Sequence, residues 1–223
     1  MAQWVYDLPT WAYIAFFVLI GYPFGALQSA YFIAKVFGKI NIKEHGSGNA
    51  GATNVYRVMG IRPGLCVLVF DILKTITPII IINAFMYSGR IWDISAAEYI
   101  PGLLVGVGVF MGHCFPFFLK FNGGKGVACA IGILIMFDPI ILAIVLGICI
   151  LIVLATRYIS LASSTGFISL GIVTTTLYTE YPTIISIAWV LAVVGVFNHR
   201  KNIKWLLSGE EKRFNFKGGS KKA

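Results

Sequence analysis

Three polar stretches, far apart in the chain, carry residue types suited to holding an anion. The first reads Gly46-Ser47-Gly48-Asn49-Ala50-Gly51-Ala52-Thr53-Asn54-Val55-Tyr56-Arg57. Its glycines let backbone N–H groups approach a phosphate closely, Ser47, Asn49, Thr53 and Asn54 can complete its hydrogen bonds, and Arg57 brings a guanidinium. A glycine-rich turn joining two helices is the plain alternative. The stretch also spells G-x-G-x-x-G, with Asp71 following at a dinucleotide-like distance. That reading is excluded, because no strand precedes the glycines and Asp71 falls inside an apolar segment.

The second stretch runs from Gly112-His113-Cys114-Phe115-Pro116 to Phe121-Asn122-Gly123-Gly124-Lys125-Gly126. A lysine among glycines at a helix edge would cradle a phosphate with backbone amides and one ammonium. The Walker pattern itself is missing, since Gly126 stands where Ser or Thr is required. A snorkelling lysine beside a hinge is the competing reading.

The third stretch is Asn198-His199-Arg200-Lys201-Asn202-Ile203-Lys204. His199 and Asn202 share a helix face, whereas Arg200, Lys201 and Lys204 fit an orientation signal or the helix dipole. Two smaller features accompany these. Asp71 and Lys74 are spaced for an ion pair inside a helix, with a proton relay as the second reading. Arg157-Tyr158-Ile159-Ser160-Leu161-Ala162-Ser163 places serines at a helix edge, where they can bond helix carbonyls. His45, His113 and His199 lack carboxylates or cysteines at chelating spacing, so no metal is expected.

Composition dictates what must position these groups. The 223 residues are 58% hydrophobic and 12% charged, with net charge +9 and a mean hydropathy of +0.83. A soluble domain is excluded on that balance. Because the basic residues are sharply segregated, the excess is assigned to anionic lipid and an anionic substrate, and no nucleic acid partner is expected.

Hydrophobic runs near 11–34, 63–87, 100–119, 127–137, 139–156, 159–178 and 182–197 are candidate spans. The fourth is too short to cross as a straight helix, so it either brings its glycine-rich approach to membrane depth or joins the fifth. Asp138-Pro139 marks the break between them. The basic residues choose. With seven spans and the N-terminus outside, every Lys and Arg except Arg90 and Lys74 faces the cytoplasm. Fusing 127–156 into one helix would instead turn Arg157 and the whole tail from Arg200 outward.

The expected architecture is therefore all-α: a polytopic bundle of seven transmembrane helices forming one domain over 1–223, with a cytoplasmic C-terminus. A flexible basic tail at 212–223 rests near the headgroups. Asp7, Asp93, Glu98, Asp138 and Glu180 then mark outer loops, and all three polar stretches lie on the cytoplasmic side. Asp7, with no basic neighbour, argues against a cleaved signal. Cys66, Cys114, Cys129 and Cys149 have no C-x-x-C spacing and are expected as small buried apolar residues.

Taken together, Gly46-Ser47-Gly48-Asn49-x-Gly51-Ala52-Thr53-Asn54 with Arg57, Gly112-His113-x-x-Pro116 with Gly123-Gly124-Lys125-Gly126, and Asn198-His199-x-x-Asn202-Ile203 with Gly209 and Glu211 resemble the motifs of one family. It is the bacterial acyl-phosphate:glycerol-3-phosphate acyltransferase family, and the resemblance covers nearly the whole chain in order. It implies a cofactor-free, seven-helix enzyme of the bacterial inner membrane, with its active site facing the cytoplasm. Such an enzyme transfers a fatty acyl group from acyl phosphate to glycerol 3-phosphate, giving 1-acylglycerol 3-phosphate (lysophosphatidic acid) and phosphate, the first acylation of phospholipid synthesis.

The same resemblance assigns Ser47, Thr53, Asn54 and the Gly123, Gly124 and Gly126 loop to the acyl phosphate. It assigns Arg57, Lys125, Ser163, His199 and Asn202 to glycerol 3-phosphate, with Asn49 also binding substrate and His199, Lys125 and Arg57 as catalytic groups. Departures from the family pattern are Cys129 for Thr, Thr75 for Gly, Trp205 for Arg, and Asn41-Ile42-Lys43 for Asp-Ile-Arg. These bear on substrate preference more than on the reaction. A monomer is compatible with the sequence, which does not fix the oligomeric state.

An acyl phosphate is already activated, so the expected reaction is direct attack by the glycerol hydroxyl, with His199 or the donor's own phosphate taking the proton. The His-x4-Asp pattern of thioester-using acyltransferases is absent: Ala50, Phe118 and Lys204 stand where its Asp would follow His45, His113 and His199. A transporter for a phosphorylated solute is the rival, and predicts polar partners near the bilayer midplane, where Asp71 and Lys74 fall. A binding or regulatory membrane protein is the third reading.

Overall fold

In hydrocarbon an apolar segment must satisfy its backbone within itself, which favours helices. The structure, a computed structural model, describes residues 3–90 and 95–215, and its regular elements are all helical. Asp93 and the tail beyond Asn215 lie outside the described residues. The α-helices are α1 (Thr10–Ala26), α2 (Ser29–Phe37), α3 (Ala52–Met59), α4 (Ile61–Met86), α5 (Ile100–Cys114), α6 (Val127–Phe137), α7 (Pro139–Thr156), α8 (Ile159–Leu177), α9 (Pro182–Asn198) and α10 (Arg200–Ser208).

Among the described residues, five stretches are long and apolar enough to cross a membrane: Thr10–Phe37, Ile61–Met86, Ile100–Leu119, Pro139–Thr156 and Ile159–Leu177. Pro182–Asn198 joined to Arg200–Ser208, bent by 53°, makes a sixth. The helix α6 occupies the 127–137 run but has 11 residues, a rise of about 16 Å against about 30 Å of hydrocarbon. It does not fuse with α7. Asp138 turns to an extended conformation and caps α7, its Oδ1 accepting from the N–H groups of Ile140 (2.7 Å) and Ile141 (3.2 Å). Its Oδ2 accepts from the Tyr178 hydroxyl at 2.8 Å, which ties the turn to the end of α8.

The helix α5 is the core of the bundle. Of the most apolar part of Ile100–Leu119, to which it belongs, 72% is buried, against 11% for α7, which therefore presents its apolar surface to lipid. The packing of α5 on α1 rests on two facing pairs, Gly21 with Gly25 and Gly108 with Gly112. A Cβ on Gly21 or Gly25 would collide with the Val105 or Val109 carbonyl, and one on Gly108 or Gly112 with the Val18 or Tyr22 carbonyl. Small residues four apart on both helices let the backbones touch, the main source of helix attraction in lipid. Gly108→Leu is expected to cost about 1–3 kcal/mol by overpacking, read as a lower Tm in detergent; an unchanged Tm would mean the helices do not meet through these glycines.

The cysteines depart in part from expectation. Cys114 and Cys129 are buried and Cys149 half-buried, but Cys66 is exposed on α4. An apolar environment there is supplied by the surroundings of the bundle rather than by its core.

Candidate active site

Helix starts build the site. The helices α3, α6 and α8 begin at Ala52, Val127 and Ile159, and all three residues line one cavity of ≈ 130 Å³. First-turn N–H groups have no partner within their own helix, and each helix carries partial positive charge at this end. Three such ends converging on one space make an anion site before any side chain is counted. Arg57 and Lys125 add full charges to its wall.

Lys125, His199 and Asn202, brought from two distant stretches, line this cavity together with Ser47, Asn49, Thr53, Asn54, Gly126 and Ser163. Lys125 Nζ donates to Asn202 Oδ1 at 2.5 Å, and Asn202 Nδ2 donates to both Glu211 carboxylate oxygens at 3.0 and 3.2 Å. Burial, opposed by Glu211 and assisted by Arg57, lowers the Lys125 pKa to about 8. His199, just past the end of α9, is 2% exposed. Its Nδ1 lies 2.8 Å from the Gly195 carbonyl oxygen, a pure acceptor, so Nδ1 carries the proton and Nε2 keeps its lone pair. Burial first and then the Lys125 charge lower the His199 pKa to about 4, so the ring is neutral at physiological pH.

Some residues take other places than expected. The Asn54 carboxamide shapes its own loop: the two N–H groups of Nδ2 are shared among the carbonyls of Ile42, His45 and Asn49, and Oδ1 accepts from Ser47 N at 2.8 Å. Gly123 and Gly124 do not offer an amide cradle either. Their N–H groups donate to the carbonyls of Cys114 (3.0 Å) and His113 (2.9 Å), closing the C-terminal end of α5. They line a second polar basin of ≈ 540 Å³, with Lys43, Arg200 and Lys201. This basin shares Ser47, Asn49, Lys125 and Asn202 with the cavity, so the Lys125–Asn202 contact stands between the two.

Two groups were not legible as site residues. Ser160 Oγ is buried without a hydrogen-bond partner among the described residues and lines the cavity. The carbonyl-bonding role expected of these serines belongs to Ser164, whose hydroxyl donates to Ser160 O at 2.9 Å. Glu211 was visible only as a motif position, and its burial depends on the segment after α10. The last described residues of the tail rest on the bundle: Phe214 N donates to Arg157 O at 2.6 Å, Tyr56 OH to Asn215 O at 2.9 Å, and the Tyr56 and Phe214 ring centroids lie 5.2 Å apart.

An apolar groove of ≈ 330 Å³ runs between α6, α7 and α8, lined by residues such as Leu134, Val145 and Leu170. It shares Val127, Ile159 and Ser163 with the polar cavity. An anion pocket thus adjoins a slot suited to a hydrocarbon chain.

The comparisons with known proteins bear on the same architecture. The family model described as glycerol-3-phosphate acyltransferase matches residues 15–209. A glycerol-3-phosphate acyltransferase of Thermoanaerobacter pseudethanolicus is 34% identical over 92% of this chain and 98% of its own length. Another from Fusobacterium nucleatum is 35% identical over 90% and 97%. Two crystal structures of PlsY (YgiH), an integral membrane glycerol 3-phosphate acyltransferase, superpose with TM-scores of 0.78 for its glycerol 3-phosphate form and 0.75 for its lysophosphatidic acid form. They are 33% and 32% identical and each covers 91% of this chain, which covers 96% and 95% of them. With matches of this extent, and with helices apolar enough for a multi-pass membrane protein, the chain belongs to the glycerol-3-phosphate acyltransferase family.

Proposed function

We propose that the protein transfers a fatty acyl group from acyl phosphate to glycerol 3-phosphate, yielding lysophosphatidic acid and inorganic phosphate. The observation that carries this reading is the junction of an anion cavity with an apolar groove, which suits a donor with a phosphate head and a hydrocarbon tail. The tail lies along α6, α7 and α8. Glycerol 3-phosphate approaches from the aqueous basin, whose Lys43, Arg200 and Lys201 attract dianions. The glycerol 3-phosphate and lysophosphatidic acid forms of PlsY correspond to an acceptor and a product of this kind.

In the reaction proposed, a glycerol hydroxyl oxygen attacks the acyl carbonyl carbon. The bond from that carbon to the phosphate oxygen breaks, and the phosphate leaves with the electron pair. The hydroxyl proton goes to His199 Nε2. Arg57, Lys125 and Asn202 hold the acceptor phosphate, while Ser47, Thr53 and the amides opening α3 and α6 hold the donor phosphate as charge develops on it. Bringing two anions together is the main obstacle, and cations with three helix ends remove it.

The bundle proposed has seven membrane-inserted segments, α6 among them, with the N-terminus outside and the cavity on the cytoplasmic face of the inner membrane. That orientation keeps nearly all basic residues inside. The protein is one domain and acts without cofactor or metal.

The test supplies purified protein with acyl phosphate, acyl-CoA or acyl carrier protein, each with glycerol 3-phosphate. Phosphate and lysophosphatidic acid are expected from the first donor alone. Equal rates from a thioester would overturn the donor assignment.

A pH profile follows from the two lowered pKa values. Nε2 of His199 is unprotonated above about 4, and Lys125 keeps its charge below about 8. So kcat/KM is expected to rise through the first value and fall through the second. Lys125→Arg, which does not titrate in this range, should remove the alkaline fall; persistence of that limb would assign it elsewhere.

A further inference from the structure

Beneath the Gly123–Lys125 loop lies a buried polar network that the reaction above does not use. Lys74 Nζ and Asp71 Oδ1, both on α4, are 2.8 Å apart and almost fully buried. Asp71 Oδ1 also accepts from Ser29 Oγ at 2.8 Å. Lys74 donates to the carbonyls of Gly25 (3.1 Å) and Leu27 (2.7 Å), which are left open where α1 breaks before α2, and meets His113 Nδ1 at 3.1 Å. The Asp71–His113 separation, 3.7 Å, is too long for a hydrogen bond.

An ammonium only donates, so a Lys74–His113 hydrogen bond makes Nδ1 the acceptor and leaves the ring proton on Nε2, the three N–H groups of Lys74 being shared among His113, Gly25 O, Leu27 O and Asp71. The ring stands in the cavity wall, packed so closely under Gly124 that a Cβ there would fall on Nε2. The backbone repeats the link: His113 O accepts from Gly124 N at 2.9 Å and from Gln28 Nε2 at 3.1 Å. A buried ion pair adds little stability over apolar residues of the same volume. This one instead selects a tautomer and joins four chain segments beneath the loop that carries Lys125.

We propose that Lys74, held by Asp71, is a positioning residue for acyl transfer: it sets the tautomer and place of the His113 ring, which by packing under Gly124 and by the Gly124 N to His113 O bond fixes the segment that presents Lys125 to the cavity. The inference rests on the acyltransferase reading for its effect on turnover. Its tautomer and phosphate-binding consequences are independent of that reading.

The experiment uses the full chain in detergent with ring-15N histidine. Wild type, Lys74→Arg, Lys74→Met and His113→Leu are compared, and the His113 signals are identified by their loss in His113→Leu. Wild type is expected to show His113 protonated at Nε2, and Lys74→Met to lose that form. Inorganic phosphate binding by calorimetry should weaken about tenfold in Lys74→Met, and kcat should fall about 10–100-fold, the scale of a misplaced reacting group. Lys74→Arg should restore most of both. An Nδ1-protonated His113 in wild type, or Lys74→Met with unchanged phosphate binding and kcat, would overturn the proposal. Should Lys74→Met not fold, His113→Leu carries the test, because it leaves the ion pair in place: wild-type phosphate binding and kcat there would sink the idea. If wild type binds phosphate and shows the Nε2–H form but transfers no acyl group, it is the acyltransferase reading that fails.

Discussion

Lys125→Met is expected to lower kcat/KM about 10²–10³-fold, the scale found when one preorganised charge-stabilising group is removed. The lysine is the cation common to the reaction cavity and the solvent basin. Its Nζ bonds Asn202, which in turn holds the buried Glu211 carboxylate. Removing the ammonium therefore does more than delete an attraction: it leaves Glu211 facing two incoming dianions without its compensating charge. Both KM values should rise, and kcat should fall because the acceptor is no longer held by its phosphate in line for attack beside the donor phosphate. Lys125→Arg should recover part of the binding but little of kcat, since a planar guanidinium cannot occupy the point position of an ammonium. Steady-state rates with each substrate varied in turn measure the split, and a loss below tenfold would remove Lys125 from the chemistry.

The apolar segments were readable because hydrocarbon leaves the backbone a single local solution. The 127–137 run and the break at Asp138-Pro139 appear in the structure at those positions, since a cap and a proline act through their own neighbours. The break within the first run was not readable. Residues 11–34 look continuous, yet the helix opens at Leu27, and the freed carbonyls are satisfied by Lys74 from α4 and by Gln28. The same limit applies to the site. The seven-span reading expects Lys125 and His199 on one side, and they line one cavity, but Asn54 as a loop-shaping residue depends on where three carbonyls happen to point. Gly123 and Gly124 looked like a phosphate cradle because glycine permits close approach; here it is the His113 ring and Pro116 that approach. Ser160 and Glu211 become visible only once the start of α8 and the segment after α10 meet the start of α3 around one cavity.

His199→Gln is expected to lower kcat about 10²–10⁴-fold if the histidine is the base, the range for general base catalysis. The geometry favours that role: Nδ1–H bonds Gly195 O, the ring is braced against Phe167 at 6.0 Å between centroids, and Nε2 is left with a free lone pair beside Lys125. Its lowered pKa makes it a weak base in the empty site. Two bound phosphates reverse part of the Lys125 field, so the affinity of Nε2 for a proton rises when both substrates are present, which is when a base is needed. The acid limb of kcat should accordingly lie above the acid limb of kcat/KM, because the first reports the loaded enzyme and the second the free one. Glutamine keeps a hydrogen-bonding group of similar reach and removes the titration, so the acid limb of kcat should vanish along with the rate. If His199→Gln retains more than about a tenth of the wild-type kcat, below the range for a catalytic base, the proton must instead pass to the donor's own phosphate. His199 would then act by orienting the acceptor hydroxyl, and its replacement would show in KM for glycerol 3-phosphate rather than in turnover.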